Sequence, residues 1–525
     1  MLQRKSEEAA TQKHFNDGTQ IIMSISYYIG LDVSTTASKA VALGDDGSVI
    51  IGEAAPHDLL IPQPMWAEQD PNRWWVASAA AIRNLWTQIN PQDVRGVGLT
   101  GQMLGLTVLD ANGEVLRPAI LWNDQRSEAE CAAITTTVGA EHLHQLIGST
   151  LLPGMTLPKL LWLRTHEPEI YSRIASILLP KDYVRYRLCN VMATDVSDAA
   201  GTGLLDMGAR QWSDTMMAAV DIPGDWLPEV FESSDICGQV TSEGAEATGL
   251  LKGTPVIAGA GDQPAQAIGA GVVEHGKASI TLGTSGVLFV ACDHYQPDPE
   301  GRLHTFCHAV PGQWCQMGVM QSAAGSLQWF RDQLCPDLSF VELDELAKQI
   351  NLGAEGLLFA PYLSGERHPH ADAKARGAFV GLTLKHDTGH MARAVMEGVA
   401  YAMRDLSVLT GTCGAAPQTA ILSGGAARSA LWRQIMADVL EIPLVTNNSE
   451  EGAALGAALL AAVGTGCWPT MAEACAVVAK EGSTTVPNSE TAEAYRYLYG
   501  LFTQLYPALQ SVCHSLSDIP RGKDR

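Results

Sequence analysis

Two short segments place carboxylates, hydroxyls and small residues where they could meet a phosphate. Asp32, Thr35, Thr36 and Lys39 lie in and beside a Ser/Thr-rich turn that ends one apolar run, and Thr281-Leu282-Gly283-Thr284-Ser285-Gly286 ends another. A hairpin tip can turn consecutive N–H groups toward an anion. A carboxylate there, Asp32, can hold Mg²⁺ through water, and Lys39 adds positive charge. The small residues Gly283, Thr284 and Ser285 let backbone approach phosphate closely. Each segment alone is equally an ordinary solvated turn. Two of them facing one cleft would form a two-sided clamp, which is what phosphoryl transfer needs.

Asp262 could supply the proton chemistry. It lies in Gly259-Ala260-Gly261-Asp262-Gln263-Pro264, between an apolar strand (255–258) and a small-residue helix (265–270). As a helix N-cap it would be structural, with Pro264 early in the helix. As a base it would take a proton from a hydroxyl whose oxygen attacks a γ-phosphate. The two roles are compatible, and the helix N-terminus would keep the carboxylate ionised. Ser423-Gly424-Gly425-Ala426-Ala427-Arg428 is a strand-to-helix turn that could flank an adenosine ring or be a plain tight turn. His304 with Cys307-His308, and His368 with His370, have near-metal spacing but lack the four-ligand pattern of a structural zinc site.

The elements that must position these residues read as α/β. A hairpin is expected over 27–43, a helix over 74–89, and a strand over 94–100 leading into the loop Gly101-Gln102-Met103-Leu104-Gly105. A second hairpin is expected over 278–290, helices over 391–409, 431–440 and 452–463, and a strand over 419–422. The 452–463 helix is rich in small residues, which suits close packing. Two hairpins half a chain apart, in 525 residues, suggest two related α/β domains facing across a cleft, with a boundary near 269–272. The expected division is 1–26 as a disordered extension, 27–271, 272–515, and a tail over 516–525.

Composition narrows the partners. Hydrophobic residues make up 46% and charged residues 17%, enough for large cores. A net charge of −23 argues against nucleic acid and against an anionic membrane surface. ATP is still allowed, because a phosphate site needs local N–H groups and a metal, not global positive charge. No apolar run is long enough to span a bilayer. Eleven scattered cysteines without a C-x-x-C pair point to reduced thiols and a cytoplasmic protein.

Taken together, these motifs resemble those of the FGGY carbohydrate kinases, and within them the xylulokinases. The likeness runs from about Tyr28 to about Val463. It is carried by the 32–39 loop, Trp66-Ala67-Glu68-Gln69-Asp70-Pro71 with Trp74-Trp75, Gly101-Gln102-Met103, and the 117–124 segment with Arg126. The 179–183 and 197–202 segments, Gly261-Asp262, 282–286, 361–367 and 424–429 complete it. The resemblance implies two actin-like (ribonuclease H-like) domains facing each other across a catalytic cleft. It implies Mg²⁺-dependent transfer of the γ-phosphate of ATP to a ketopentose, D-xylulose giving D-xylulose 5-phosphate. Asp262 is the implied base, and Asp32 with Asp262 the implied metal side. Implied sugar contacts are Gln102, Met103, Leu104, Trp122, Asp124, Asp262 and Gln263. Implied nucleotide contacts are Thr35, Thr36, Lys39, Gly283, Thr284, Ser285, Gly325, Gly424, Gly425 and Arg428. Dimers are common in the family.

Two positions depart from the pattern. Ser34 replaces a usual glycine, and its Cβ is expected to shift the turn. Leu104 replaces a usual histidine, removing a hydrogen-bond partner worth about 1–3 kcal/mol in discrimination. Two alternatives therefore stand beside xylulose phosphorylation: a kinase for another sugar or polyol such as ribulose or a deoxyketose, and a catalytically silent nucleotide- or sugar-binding protein.

Overall fold

Strong hairpins open both halves of the chain. The computed structural model describes residues 25–447, 452–478 and 481–519. Most of the expected N-terminal extension and the end of the expected tail lie outside the described residues.

The first sheet is built from β1 (Tyr27–Val33), β2 (Ala37–Gly44), β3 (Val49–Ile51), β4 (Val94–Gly101), β5 (Ile236–Gln239), β6 (Pro255–Ile257) and β7 (Ala260–Gly261). Its order is β5–β6–β4–β1–β2–β3, with β7 also pairing to β4 and the short strand Ala55–Pro56 pairing to β2. β1 and β4 are parallel, and β1 and β2 form the expected antiparallel hairpin. Helix α1 (Pro71–Asn84) begins before the expected Trp74, because Asp70 accepts a hydrogen bond from the Asn72 N–H and Pro71 occupies the first turn. It ends early in a single tight turn over Leu85–Thr87.

The second sheet repeats the scheme. Helix α2 (Asp262–Gly269) leads to β8 (Lys277–Leu282), β9 (Gly286–Cys292), β10 (His304–Cys307) and β11 (Trp314–Met320). The long helix α3 (Thr388–Thr412) follows, then β12 (Thr419–Gly424), β13 (Leu444–Asn447), helix α4 (Gly452–Gly464) and β14 (Glu481–Thr485). The order is β10–β11–β9–β8–β12–β13–β14. The run β3–β2–β1–β4–β6 in the first sheet matches β11–β9–β8–β12–β13 in the second: a hairpin plus a third antiparallel strand on one side, parallel strands on the other.

The small-residue helix α4 packs across the divide between the two halves. It lies on β1 and β4, where a Cβ on Gly30 would sit 1.9 Å from the Ala454 carbonyl oxygen and one on Gly98 would sit 2.1 Å from that of Ala457. It also presses on α2, where a Cβ on Gly456 would meet the Ala265 carbonyl at 1.9 Å. A shared core of Tyr28, Val41, Ile257, Ala265, Ile268, Leu455 and Leu459 results. Burial of that much apolar surface between the halves ties α2, which begins at Asp262, to both sheets. All eleven cysteines are free thiols. Among the described residues, no helix is long and apolar enough to cross a membrane.

Candidate active site

Asp32, Gln102 and Asp262 all leave the C-terminal ends of neighbouring strands. Asp32 stands opposite Thr100 in the β1–β4 register, and Gly261 opposite Gly101 in the β7–β4 register. The second sheet mirrors this, with Leu282 opposite Gly424 in parallel β8 and β12. Loops at such ends are where open α/β sheets hold ligands.

Asp262 is not the helix cap. Gly261 holds that position with extended backbone, and Asp262 is the first residue of α2. Its carboxyl still interacts with its own N–H and that of Gln263 in the first turn. The expectation that the helix N-terminus dominates its ionisation is also corrected. Burial pushes the carboxyl up to about 7, outweighing the downward pull of the Gln263 and Asp262 N–H groups.

A buried charge cluster lies behind the turn that carries it. The Gly261 N–H donates to Ser197 Oγ at 3.1 Å, and Ser197 donates to Asp195 through its hydroxyl (2.6 Å) and its N–H (2.8 Å). Lys181 Nζ reaches Asp182 at 2.6 Å, Asp195 at 2.9 Å and Asp198 at 3.0 Å, all fully buried. The 179–183 and 197–202 segments thus act together as a rigid support for the start of α2.

In front of it, a cavity of about 220 Å³ is lined by Met103, Leu104, Trp122, Asp262, Gln263 and Ser285, together with His304 and Arg367. Two expected sugar contacts are not brought into it. Asp124 is fully buried, and its oxygens accept from the Ala67 N–H (2.7 Å), the Arg126 N–H (2.9 Å) and the Arg126 guanidinium (2.9 and 2.7 Å). An internal ion pair has claimed it. Gln102 is buried in a relay. It donates to Gln69 Oε1 (2.8 Å) and accepts from Thr35 Oγ1 (3.3 Å), which in turn accepts from Trp122 Nε1 (3.1 Å). Gln102 thereby fixes Trp122, 44% exposed at the cavity wall, through Thr35.

Leu104 adopts a left-handed backbone, φ 71°. Its carbonyl accepts from Lys159 Nζ (2.8 Å) and Thr156 Oγ1 (2.9 Å), and Lys159 also reaches the Ile120 and Leu121 carbonyls. Burial lowers the Lys159 ammonium to about 7. This lysine ties the loop after β4 to the segment carrying Trp122, and no periodicity or turn signal marks it in the sequence.

On the opposite side, Gly283, Thr284, Gly325, Gly425 and Arg428 line a cavity of about 670 Å³. Gly424, Gly425 and Arg428 also border one of about 680 Å³ that includes Gln266, Thr281 and Ser423. Thr281 Oγ1 and Ser423 Oγ are 3.1 Å apart, and Gln266 of α2 donates to Thr281 at 3.4 Å. Ser285 departs from expectation: it faces the small cavity with Asp262, not the large ones.

Asp32, Thr35, Thr36 and Lys39 line none of these three cavities, and Thr36 is exposed. Ser34 does not disturb its turn. Its φ is not left-handed, and its hydroxyl (2.8 Å) and N–H (3.0 Å) both donate to the Ala37 carbonyl. The suggestive histidines serve packing and hydrogen bonding: His308 contacts the Val272 carbonyl at 3.0 Å, and His370 stacks on Tyr506 at 3.7 Å.

Known proteins match the chain over nearly its whole length. The FGGY family of carbohydrate kinases matches through its N-terminal domain over residues 27–269 and its C-terminal domain over 278–465. The xylulose kinase of Escherichia coli (strain K12) is 42% identical over 483 residues, covering 92% of this chain and 99% of that protein. A crystal structure of a xyloylose kinase from Brucella ovis superposes with a TM-score of 0.87 at 38% identity, covering 93% of this chain and all of that one. A gluconate kinase from Lactobacillus acidophilus superposes at 0.88 with 27% identity, covering 93% and 98%. With both domain matches and these relatives spanning nearly its whole length, the chain belongs to the FGGY family of carbohydrate kinases, enzymes that phosphorylate sugars with ATP.

Proposed function

We propose that the protein transfers the γ-phosphate of ATP to the terminal hydroxyl of a ketopentose, with D-xylulose giving D-xylulose 5-phosphate. Residues 27–271 would carry the sugar pocket and the base, and residues 272–515 the nucleotide site. The observation that carries the reading is Asp262: a carboxylate at the head of α2 opening into a sugar-sized cavity, its carboxyl pushed by burial up to about 7. A base with that affinity for protons is half-ionised at neutral pH and can still hold the proton it takes.

In the reaction, Asp262 accepts the proton of the attacking hydroxyl. The new bond forms between that oxygen and the γ-phosphorus, and the bond to the β-phosphate oxygen breaks, releasing ADP. Met103, Leu104, Trp122 and Gln263 orient the sugar. Ser285 sits where the sugar cavity meets the β8–β9 turn, Gly283, Thr284 and Gly325 approach the phosphates, and Gly424, Gly425 and Arg428 border the adenosine. Asp32 and Asp262 would hold the Mg²⁺ of the reaction. Their donor set is hard carboxylate oxygen flanking the end of β4, which suits an ion that keeps part of its water. When bound, the ion neutralises charge on the phosphate oxygens.

An assay of ADP release across ketoses and polyols tests this. Magnesium-dependent turnover of D-xylulose is expected, and no turnover of any ketopentose would overturn it. A second reading, a kinase for a ketose with fewer hydroxyls or for a polyol, is favoured by the apolar Leu104 at the cavity wall. A deoxyketose or polyol outrunning D-xylulose in the same panel selects it.

A further inference from the structure

The cavity that holds Asp262 also holds a cation. Arg367 lines it, from the opposite half of the chain. No carboxylate among the described residues pairs with its guanidinium, and burial alone shifts it, downward. The adjacent Glu366 does not serve: its Oε1 accepts from the backbone N–H groups of Gln321 (2.9 Å) and Arg367 (2.7 Å), and burial pushes its carboxyl up to about 8.

The side-chain partner of Arg367 is His304, with Nη2 3.2 Å from Nε2. His304 is buried and held well below the usual imidazole range, so it is neutral. Its Nδ1 lies 2.6 Å from Ser149 Oγ, and Ser149 donates its own proton to the Thr150 carbonyl at 2.9 Å. Ser149 Oγ therefore accepts, His304 Nδ1 carries the ring proton, and Nε2 is left to accept from Arg367. The relay Thr150–Ser149–His304 fixes one edge of the guanidinium and leaves its other N–H groups for the cavity.

We propose that Arg367 selects for a carbonyl-bearing sugar by donating to the C2 carbonyl oxygen of an open-chain ketose. The inference rests on the function proposed above. Arginine offers donors and no acceptor. From the half of the chain that carries Arg367, the cavity is lined by Val287, Phe306, Met317 and Val319, with His304 committed to Arg367 and Ser149, and Ser285 as the remaining polar side chain. A carbonyl oxygen satisfies the guanidinium and has no proton to place. A hydroxyl at that point could accept from Arg367, but its own proton would face apolar wall, a penalty of about 10- to 100-fold in affinity. A carboxylate would also satisfy Arg367, but it would place a second carboxyl group beside that of Asp262 in a cavity of about 220 Å³. Polarity absent at Leu104 is thus supplied from the other half of the molecule.

The test is steady-state kinetics on the full-length protein with D-xylulose, the corresponding pentitol and the corresponding pentonate. The pentitol is read as substrate and as competitive inhibitor, and thermal unfolding checks each variant. For Arg367→Met, kcat/KM on D-xylulose is expected to fall about 10- to 100-fold, mostly through KM, with pentitol affinity changed less than about threefold. Arg367→Lys should show the same loss of selectivity to a smaller degree, and serves if the methionine variant is unstable. His304→Phe should weaken D-xylulose selectively, and His304→Gln, which keeps an acceptor, should restore part of it. Equal losses on ketose and pentitol, or a fall in kcat with the ratio unchanged, would overturn the inference and point to a contact with the transferring phosphoryl group. Wild-type preference for the pentonate, abolished in Arg367→Met, would overturn it in favour of an anion site. Wild-type silence on all ketopentoses would overturn the proposed function and this inference together, whereas ketopentose turnover with unaltered selectivity in the variants would overturn this inference alone.

Discussion

On one side of the cleft, Gly283, Gly325, Gly424 and Gly425 bring bare backbone to a cavity of about 670 Å³ and its neighbour of about 680 Å³. On the other, a cavity of about 220 Å³ is walled by side chains held through buried relays and ion pairs. The larger side is limited by what a Cβ would strike: one on Gly424, at φ 91°, would lie 2.3 Å from the Leu282 carbonyl oxygen, and one on Gly325 would lie 2.7 Å from that of Thr284. The smaller side is limited by what would be left without a partner. Recognition by backbone fails through steric clash, and recognition by supported side chains fails through uncompensated burial.

The largest expected effect tests the smaller side directly. Asp262→Asn should lower kcat about 10³- to 10⁴-fold with KM for the sugar little changed, read by ADP release. Activity retained near wild type would show that the proton goes elsewhere. Next is the support beneath it. Lys181→Met leaves the carboxylates of Asp182, Asp195 and Asp198 without their shared cation and should destabilise the fold by about 3–5 kcal/mol in denaturant unfolding. A loss under 1 kcal/mol would mean that the cluster is not supporting the start of α2.

The larger side is broken by geometry. Gly424→Ala should raise KM for ATP about 10- to 100-fold while leaving sugar KM within about threefold, because the clash lies at the β8–β12 end and not at Asp262. Equal effects on both substrates would erase the distinction between the two sides.

A smaller effect follows from pH. As the proposed base, Asp262 would act when ionised, so kcat/KM should fall about tenfold per pH unit below about 7 and level off above it. The same carboxyl binds its proton more tightly folded than unfolded. Its contribution to stability is therefore full below the ordinary carboxylate range and is lost as pH rises toward 7, a slope that Asp262→Asn should remove from a plot of Tm against pH. Smallest of all, Trp122→Phe deletes the bond to Thr35 and should cost about 1 kcal/mol, roughly fivefold in sugar KM.

The comparison also separates what could be read along the chain. Both hairpins, the turn at 283–286, the glycine turn at 424–428 and the position of Asp262 between strand and helix are local matters. Alternation, glycine and turn residues announce them without knowledge of any distant partner. Helix α4 was legible as a helix suited to close packing, but not as one that crosses the divide between the halves to lie on Gly30 and Gly98. Asp124 reads as a sugar ligand by its motif, and only packing against Arg126 and the Ala67 N–H takes it out of the cavity.

The amino-acid sequence by itself therefore determined both hairpins, the glycine turns, the duplicated layout of the chain and the carboxylate at the head of α2, because each depends on neighbours a few residues away. Tertiary structure alone decided the ionisation of that carboxylate, the withdrawal of Asp124 and Gln102 from the cavity, the fixing of Leu104 by Lys159, and the meeting of Arg367 with His304 across 63 positions. Desolvation and hydrogen-bond pairing are properties of the enclosed space, and that space exists only once both halves have packed around α2 and α4.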